Sequence, residues 1–169
     1  MVAPPKRRSN GRRATAAPCR IRPARADDVG RVHEIERGCF ADPWTADDFR
    51  YALLGAGAFL VAEADAESDA GVLGYIVGRH VIEEAEILNL GVATGARRRG
   101  IGRALVAALR ARFQSAGVGS IFLEVRESNT AARQLYESFG FSVVGRRRDY
   151  YRRPVEDAIV LRSAIAAGG

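Results

Sequence analysis

The segment best suited to chemistry is a turn rich in arginine and glycine, residues Arg97 to Gly102, which follows a strand pattern and opens a helical one. The first backbone N–H groups of a helix have no partner within the helix and lie at the positive end of its dipole, so they attract anions. Glycine at 100 and 102 removes the side-chain carbons that would keep a phosphate away. Three tandem arginines at this point favour a phosphate ligand over a merely solvated turn.

Other nucleotide-binding patterns do not fit this turn. A dinucleotide fingerprint needs G-x-G-x-x-G, and a Walker loop needs Gly-Lys followed by Ser or Thr; neither occurs in the chain. Neither His33 nor His80 has a Ser, Cys or acidic partner in a recognised arrangement. Cys19 and Cys39 lack metal-like spacing and predict no disulfide framework. The sequence therefore indicates an anion-binding turn and no metal site.

The elements that must position this turn follow an α/β pattern. Apolar periodicity and turn residues predict helices, in chain order, over about 26–40, 46–54, 100–116 and 131–139. Thr45 with Asp48 predicts a capping box for the second helix. The predicted strands are Ala58–Ala64, Val72–His80, Glu86–Val92, Ile121–Arg126, Phe141–Tyr151 and Asp157–Leu161. This order indicates a mixed α/β sheet with a strand–helix–strand unit between Gly91 and Arg126.

Composition indicates one domain of 169 residues with a basic extension. Seven basic and no acidic residues lie between Met1 and Arg22; removing them from the 26 basic residues leaves 19 against 20 acidic ones, so the net charge of +6 belongs to the extension. We expect residues 1–20 to be disordered and residues 21–169 to form the domain. The extension is read as a solvated tail, with a transit peptide or a weak electrostatic arm for RNA or the ribosome as alternatives. No apolar run is long enough for a membrane span, and we expect a cytoplasmic protein.

Several motifs together resemble the GCN5-related (GNAT) N-acetyltransferases. The pattern R-x-x-G-x-G at Arg97 to Gly102, after the strand ILNLGV, is similar to their pyrophosphate-binding signature, and LEVRESNTAARQLYESFGF is similar to the second half of their fold. With DPWTADDF, RRRDYY and EDAIVL, the chain most resembles the bacterial ribosomal-protein-alanine N-acetyltransferases (RimI) from about Ile21 to Leu161. The resemblance implies a GNAT fold: a central mixed, mostly antiparallel sheet flanked by helices, with a parallel splayed strand pair that holds acetyl-CoA.

The resemblance also implies roles for individual residues. Glu124 matches the general base and Tyr136 the general acid towards the leaving thiolate, while Asn129 matches a contact to acetyl-CoA. A protonated amine cannot attack, so a carboxylate must take its proton, and a phenol can protonate the thiolate. The remaining cofactor residues implied are the strand Leu90, Gly91 and Val92, whose N–H near Val92 would polarise the thioester carbonyl, and the loop Arg97, Arg98, Arg99, Gly100, Ile101 and Gly102.

Each of these residues also has a plainer interpretation. Glu124 alternates with apolar neighbours as a solvent-facing strand residue would, Tyr136 lies at core spacing on its helix, and Asn129 is a suitable helix cap. The motif context favours the functional interpretation of Glu124 and Tyr136. Gly91 stands where many RimI-like strands have alanine, and we expect this difference to affect little except strand stiffness.

The expected substrate side is less well defined by the sequence. Trp44 is interpreted either as a wall of a peptide groove or as a hydrophobic staple for the second helix. Glu86 and Tyr150, with Tyr151 as an alternative, are candidates to position an incoming N-terminus. The arginines 146–148, 152 and 153 are interpreted as a charged, solvated sheet edge.

The implied function is transfer of an acetyl group from acetyl-CoA to a protein N-terminal α-amine, with the N-terminal alanine of a ribosomal protein as the implied target. An α-amine has a pKa of roughly 7.7–8.0 against about 10.4 for a lysine amine, so it is deprotonated more easily. The alternatives are acetylation of a small amine, such as a polyamine or an antibiotic, and a non-catalytic acyl-CoA-binding module.

Overall fold

The computed structural model describes residues 19–65 and 71–165, which form one seven-stranded sheet with helices on both faces. The strand order is β1-β2-β3-β4-β5-β7-β6, and only β4 and β5 pair in parallel. The strands are β1 Cys19–Pro23, β2 Ala58–Ala64, β3 Val72–Val81, β4 Glu84–Val92, β5 Ser120–Arg126, β6 Ser142–Arg152 and β7 Val155–Ala164. The helices are α1 Val29–Cys39, α2 Ala46–Leu54, α3 Ile101–Ser115 and α4 Thr130–Glu137, with short 3-10 turns at Ala26–Asp28 and Thr94–Ala96. The predicted α/β fold class is confirmed.

Strand β1 has no counterpart in the elements predicted from the sequence. It begins at Cys19, so Cys19 and Arg20, which the composition assigned to the extension, pair with Ala64 and Glu63 of β2. A five-residue edge strand with alternating arginines carries too little periodicity to be recognised alone. The predicted disorder of the extension otherwise concerns residues 1–18, which lie outside the described residues.

The two faces of the sheet support two apolar clusters. On one face α3 presents Ile101, Leu105, Leu109 and Phe113, all nearly inaccessible to solvent. On the other face α1 and α2 cover an aromatic group that includes Phe49, Phe59 and Tyr75. The capping box predicted at the start of α2 is present: Thr45 accepts from the Asp48 N–H, and the Asp48 carboxylate accepts from the Thr45 N–H. The sheet is thus packed by helices on both faces.

The sheet divides at its centre, between β4 and β5. Their pairing ends at Ile87 and Leu123, although both strands continue. At the same point β4 contains a bulge: Gly78 of β3 lies opposite Ile87, but Val77 lies opposite Asn89, so Leu88 is an extra residue. A bulge bends its strand and increases its twist. The bulge therefore carries the end of β4 away from β5 and opens a gap between them.

None of the helices among residues 19–65 and 71–165 is long and apolar enough to cross a membrane.

Candidate active site

A cavity of about 640 Å³ occupies the gap between β4 and β5 and extends to both faces of the sheet. Its walls come from four parts of the chain: the segment 36–44 with Asp48, the diverging ends of β4 and β5, helix α4, and residues 150–152 of β6. Glu124, Tyr136, Asn129, Leu90, Trp44 and Tyr150 all line it. The fold thus brings together six residues that the sequence placed in one site from four separate motifs.

Glu124 lies in the gap on the part of β5 that has lost its β4 partner. Its side chain is 17% exposed and forms an ion pair with Arg147, with 2.5 Å between Oε1 and Nε. Tyr150 also hydrogen-bonds to this carboxylate, which raises the pKa of the Tyr150 phenol. Glu124 is therefore a partly buried, partnered carboxylate rather than a solvent-facing strand residue.

Tyr136 is buried on α4, with 5% of its surface exposed, and its ring packs edge-on against Phe141 at 5.5 Å. Burial raises the pKa of the phenol above its usual range, and the neighbouring Tyr151 acts in the same direction. The phenol is therefore protonated at neutral pH. It is both a core tyrosine and a wall of the cavity, so the two interpretations of Tyr136 are compatible.

The N-terminus of α3 has the features of an anion site. The first backbone bond of the helix runs from the Ala104 N–H to the Gly100 carbonyl, 3.0 Å, so the preceding N–H groups, at 101–103, have no helical acceptor. Gly100 has φ +80°, a conformation that favours glycine. Gly102 differs: an added Cβ would be 3.5 Å from Leu135 and 3.8 Å from Val92, which are ordinary contacts. Packing thus does not require glycine at 102, whereas close approach by a ligand would.

The three arginines of the loop have different environments. The Arg97 guanidinium turns back to the end of β4 and of α1, where Nε donates to the Val92 carbonyl at 3.1 Å and another nitrogen lies 3.4 Å from the Cys39 sulfur. Arg98 and Arg99 are exposed and form no hydrogen bond or ion pair within the described part of the chain. The structure therefore leaves Arg98 and Arg99, rather than Arg97, available to a phosphate.

The end of β4 offers backbone groups to the gap. The Ala93 N–H donates to the Leu73 carbonyl of β3 at 2.8 Å. Because N–H groups of a strand alternate in direction, those of Val92 and Leu90 point away from β3 and towards β5. These are the backbone donors expected beside a thioester.

Two residues combine a structural and a site position. The Asn129 side chain caps α4 by accepting from the Ala132 N–H at 3.1 Å, and it also lines the cavity. Trp44 precedes the cap of α2 and packs on Phe49 with ring centroids 5.4 Å apart, which is the arrangement of a hydrophobic staple. Trp44 also lines the cavity, so its interpretation as a wall of a peptide groove stays a prediction.

Glu86 does not reach this cavity. It lies on the paired part of β4, opposite Phe122, and its carboxylate binds Arg79 at 2.7 Å. It lines a separate depression of about 350 Å³. The position of Glu86 does not support the expected contact with a substrate N-terminus. The bulge that opens the site lies at Leu88, further along β4 than Glu86.

The arginines of β6 are only partly the solvated edge that the sequence indicated. β6 is the last strand of the sheet, as that interpretation requires. However, Arg146 binds Glu127 and Asp157, and Arg147 binds Glu124. Their partners are distant in sequence, so no local pattern reveals these pairs.

The sequence analysis missed Glu36, a carboxylate on the buried face of α1 with 1% of its surface exposed. It accepts from the Trp44 N–H at 2.8 Å, from Asn89 Nδ2 at 3.1 Å and from the Tyr75 hydroxyl. The Tyr75 hydroxyl also lies 3.2 Å from Asn89 Oδ1. One signal was present in the sequence: Glu36 continues the core positions 29 and 32 at helical spacing, where a charged residue is unusual.

The expectation for Gly91 was wrong. A Cβ at this position would lie 2.5 Å from Cε1 of Tyr75 and 2.8 Å from both Cζ and the hydroxyl oxygen. Tyr75 is fully buried. The glycine therefore makes room for the tyrosine ring, and the effect extends far beyond strand stiffness.

A divided sheet, a helix N-terminus with unpaired N–H groups, and a carboxylate and a phenol in the gap are the combination expected of an acyltransferase that uses a coenzyme A thioester. The chain matches the Acetyltransferase (GNAT) family over residues 29–141, and it belongs to that family. This confirms the resemblance seen in the sequence.

The relatives define its subfamily more closely. The chain is 38% identical over 141 residues to the N-alpha-acetyltransferase RimI of Mycobacterium tuberculosis, covering 80% of this chain and 85% of that protein. It is 33% identical to the ribosomal protein bS18-alanine N-acetyltransferase of Salmonella typhimurium, covering 82% and 93%. The crystal structure of the ribosomal-protein-S18-alanine N-acetyltransferase from Escherichia coli superposes with a TM-score of 0.80 at 30% identity, over 89% of this chain and 96% of that one.

Proposed function

We propose that this protein transfers the acetyl group of acetyl-CoA to the N-terminal α-amine of a protein, with a ribosomal protein beginning with alanine as the target. The observation that carries the proposal is the cavity in the β4–β5 gap, which Glu124 and Tyr136 line together. The RimI-type relatives support the target class.

Acetyl-CoA fits the groups that the gap presents. Its pyrophosphate matches the unpaired N–H groups at the start of α3, together with the free side chains of Arg98 and Arg99. The backbone N–H groups of Leu90 and Val92 are placed to hold the acyl arm and to polarise its carbonyl. When bound, acetyl-CoA supplies an activated acetyl group; the protein supplies position and proton transfer.

Glu124 is assigned as the base. An amine attacks only when deprotonated, and a carboxylate in the gap can accept its proton directly or through water. Arg147 and Tyr150 contact this carboxylate. The positive amine of a substrate is suited to replace Arg147, because both present N–H donors and a positive charge.

Tyr136 is assigned as the acid that donates to the sulfur as the bond to carbon breaks. Its raised pKa keeps the phenol protonated until that moment. A Cys thiol has an ordinary pKa of about 8.5, which is lower than the pKa of this phenol. The phenol therefore donates a hydrogen bond to the sulfur before it transfers its proton fully. Tyr136 therefore stabilises the leaving thiolate and regains any donated proton from solvent.

The reactants also define where the protein works. Acetyl-CoA and newly made ribosomal proteins share the cytoplasm, so the proposal includes a cytoplasmic location. A contact between the basic extension and RNA or the ribosome remains part of the proposal, and it concerns residues outside those described.

The test is coenzyme A release from acetyl-CoA with short peptides that differ in their first residues, alongside N-terminally blocked copies and spermidine. Turnover on free Ala-starting peptides, lost on blocking, is the expected result. Turnover on spermidine alone would replace the proposal with small-amine acetylation. Binding of acetyl-CoA without any turnover would favour a non-catalytic acyl-CoA-binding module.

The assigned residues are tested with isosteric variants. We expect Glu124→Gln and Tyr136→Phe each to lower kcat roughly tenfold or more, since general acid–base catalysis contributes about 10²–10⁴-fold. The thermal midpoint of unfolding shows whether each variant is folded. Unchanged rates in both folded variants would remove these assignments.

A further inference from the structure

Glu36 is a buried carboxylate with no basic partner in the described part of the chain, and the acid–base chemistry above does not use it. An isolated buried carboxylate is costly unless hydrogen bonds satisfy it. Here Oε1 accepts from the Trp44 backbone and from Asn89, while Oε2 accepts from Tyr75. Three donors from three different segments converge on one side chain.

Two of these segments, those of Trp44 and Asn89, line the cavity. Trp44 ends the loop 40–44 that lines it, and Asn89 follows the bulge that opens it. Tyr75 supports both from β3, with its ring edge-on to Phe49 at 5.3 Å. Glu36 itself lines the cavity on the α1 side. Its carboxylate therefore joins the α1–α2 loop to the diverging end of β4.

We propose that Glu36 is a positioning residue for the acceptor peptide: it holds the loop 40–44 against β4 and so sets the affinity for the peptide, without taking part in proton transfer. The inference rests on the proposed function, because it assumes that the α1 side of the gap receives the amine. Cofactor binding is expected to be nearly independent of Glu36, since the α3 N-terminus makes no hydrogen bond to it.

The geometry provides a conservative variant. In Glu36→Gln the amide oxygen at Oε1 keeps the bonds from Trp44 and Asn89. The amide nitrogen at Oε2 can donate to the Tyr75 oxygen, and the Tyr75 hydroxyl can then turn to Asn89 Oδ1, 3.2 Å away. The glutamine thus preserves the hydrogen bonds and removes only the charge. Glu36→Leu keeps a similar volume and removes the acceptor of the Trp44 N–H and of Asn89 Nδ2.

Trp44 provides a direct readout because it is the only tryptophan in the chain. Its backbone N–H is bonded to Glu36, and its ring lies against Phe49 at the cavity. The fluorescence emission of the protein therefore reports on the loop 40–44, whether or not the protein is active as an acetyltransferase.

The experiment compares wild type, Glu36→Gln and Glu36→Leu by steady-state kinetics with an Ala-starting peptide and by Trp44 emission. We expect Glu36→Gln to keep both KM values within about threefold and to preserve the pH profile of kcat. We expect Glu36→Leu to raise the KM for the peptide about tenfold or more, to change the KM for acetyl-CoA less than threefold, and to shift the emission to longer wavelength.

Several outcomes would overturn the inference. A loss of kcat in Glu36→Gln as large as in Glu36→Leu would show that the charge takes part in the chemistry. An unchanged peptide KM and emission in Glu36→Leu would show that the contact does not hold the loop. If the wild type acetylates no peptide, the proposed function fails, while the emission still decides whether Glu36 holds the loop. Should Glu36→Leu not fold, Asn89→Ala removes one donor, and an unchanged peptide KM there would count against the inference.

Discussion

The substitution Gly91→Ala adds a single methyl group to β4 at a place where the structure has no room for it. The new carbon would lie 2.5 Å from Cε1 of Tyr75, well inside ordinary contact at 3.4–4 Å. Tyr75 cannot turn aside easily, because Phe49 and Phe59 pack edge-on against its ring and its hydroxyl is bonded to Glu36. Either the ring or the end of β4 must move.

Overpacking of this kind typically costs about 1–3 kcal/mol of unfolding free energy. For a domain of this size, each kcal/mol lowers the thermal midpoint by roughly 2–4 °C. We therefore expect Gly91→Ala to unfold about 2–12 °C earlier than the wild type, measured by circular dichroism, and to need correspondingly less urea at its midpoint.

Gly102→Ala is the matched control, because a methyl group there meets only ordinary contacts. We expect it to leave the thermal midpoint unchanged or slightly raised, since alanine favours a helix, but to weaken acetyl-CoA binding in isothermal titration. A double-mutant cycle with Tyr75→Leu isolates the clash. The cost of Gly91→Ala in unfolding free energy should fall by roughly 1 kcal/mol or more when the Tyr75 ring is absent. An equal cost in both backgrounds would refute the steric explanation.

Three further results are expected. Arg147→Gln frees Glu124 and should lower the peptide KM by up to about fivefold, since an exposed ion pair contributes no more than about 1 kcal/mol. Arg148→Gln is the control. A higher peptide KM in Arg147→Gln would contradict competition between Arg147 and the substrate amine. Asn129→Ala removes the cap of α4 and should cost about 1 kcal/mol in urea unfolding. Arg22 lowers the pKa of Asp28 and, with Arg20, lowers that of Glu63 to about 2. These carboxylates therefore stabilise the fold above their unfolded pKa of about 4 and lose that effect as the pH falls towards 2. In urea unfolding across this range, the difference in unfolding free energy between wild type and Arg22→Gln should shrink in acid.

The elements around the site are largely predictable because their signals are local. The strand β2 is found at its predicted bounds, Ala58–Ala64, and α2 begins behind the capping box that Thr45 and Asp48 indicate. The arginine–glycine turn opens α3, as helix-start signals predict. Strand β1 was missed, since its pairing with β2 joins residues more than 35 positions apart.

The residues of the candidate site show the same difference between local and distant signals. Glu124 and Tyr136 were found because their motifs lie within one stretch of the chain, and both line the cavity. Glu86 was a candidate from its place at the start of its strand, whereas that strand lines the cavity from Ile87 to Leu90. Glu36 was passed over because helical spacing shows that a residue is buried but not which donors meet it there.

The sequence by itself determined the α/β fold class, the family and the arginine–glycine turn that opens α3, since each depends on residues close together along the chain. The tertiary structure alone decided three features: the gap at which β4 leaves β5, the ion pair between Arg147 and Glu124, and the three donors around Glu36. The physical reason is that these contacts join residues 8 to 53 positions apart. Their geometry depends on strand register and on the bulge, which local periodicity does not specify.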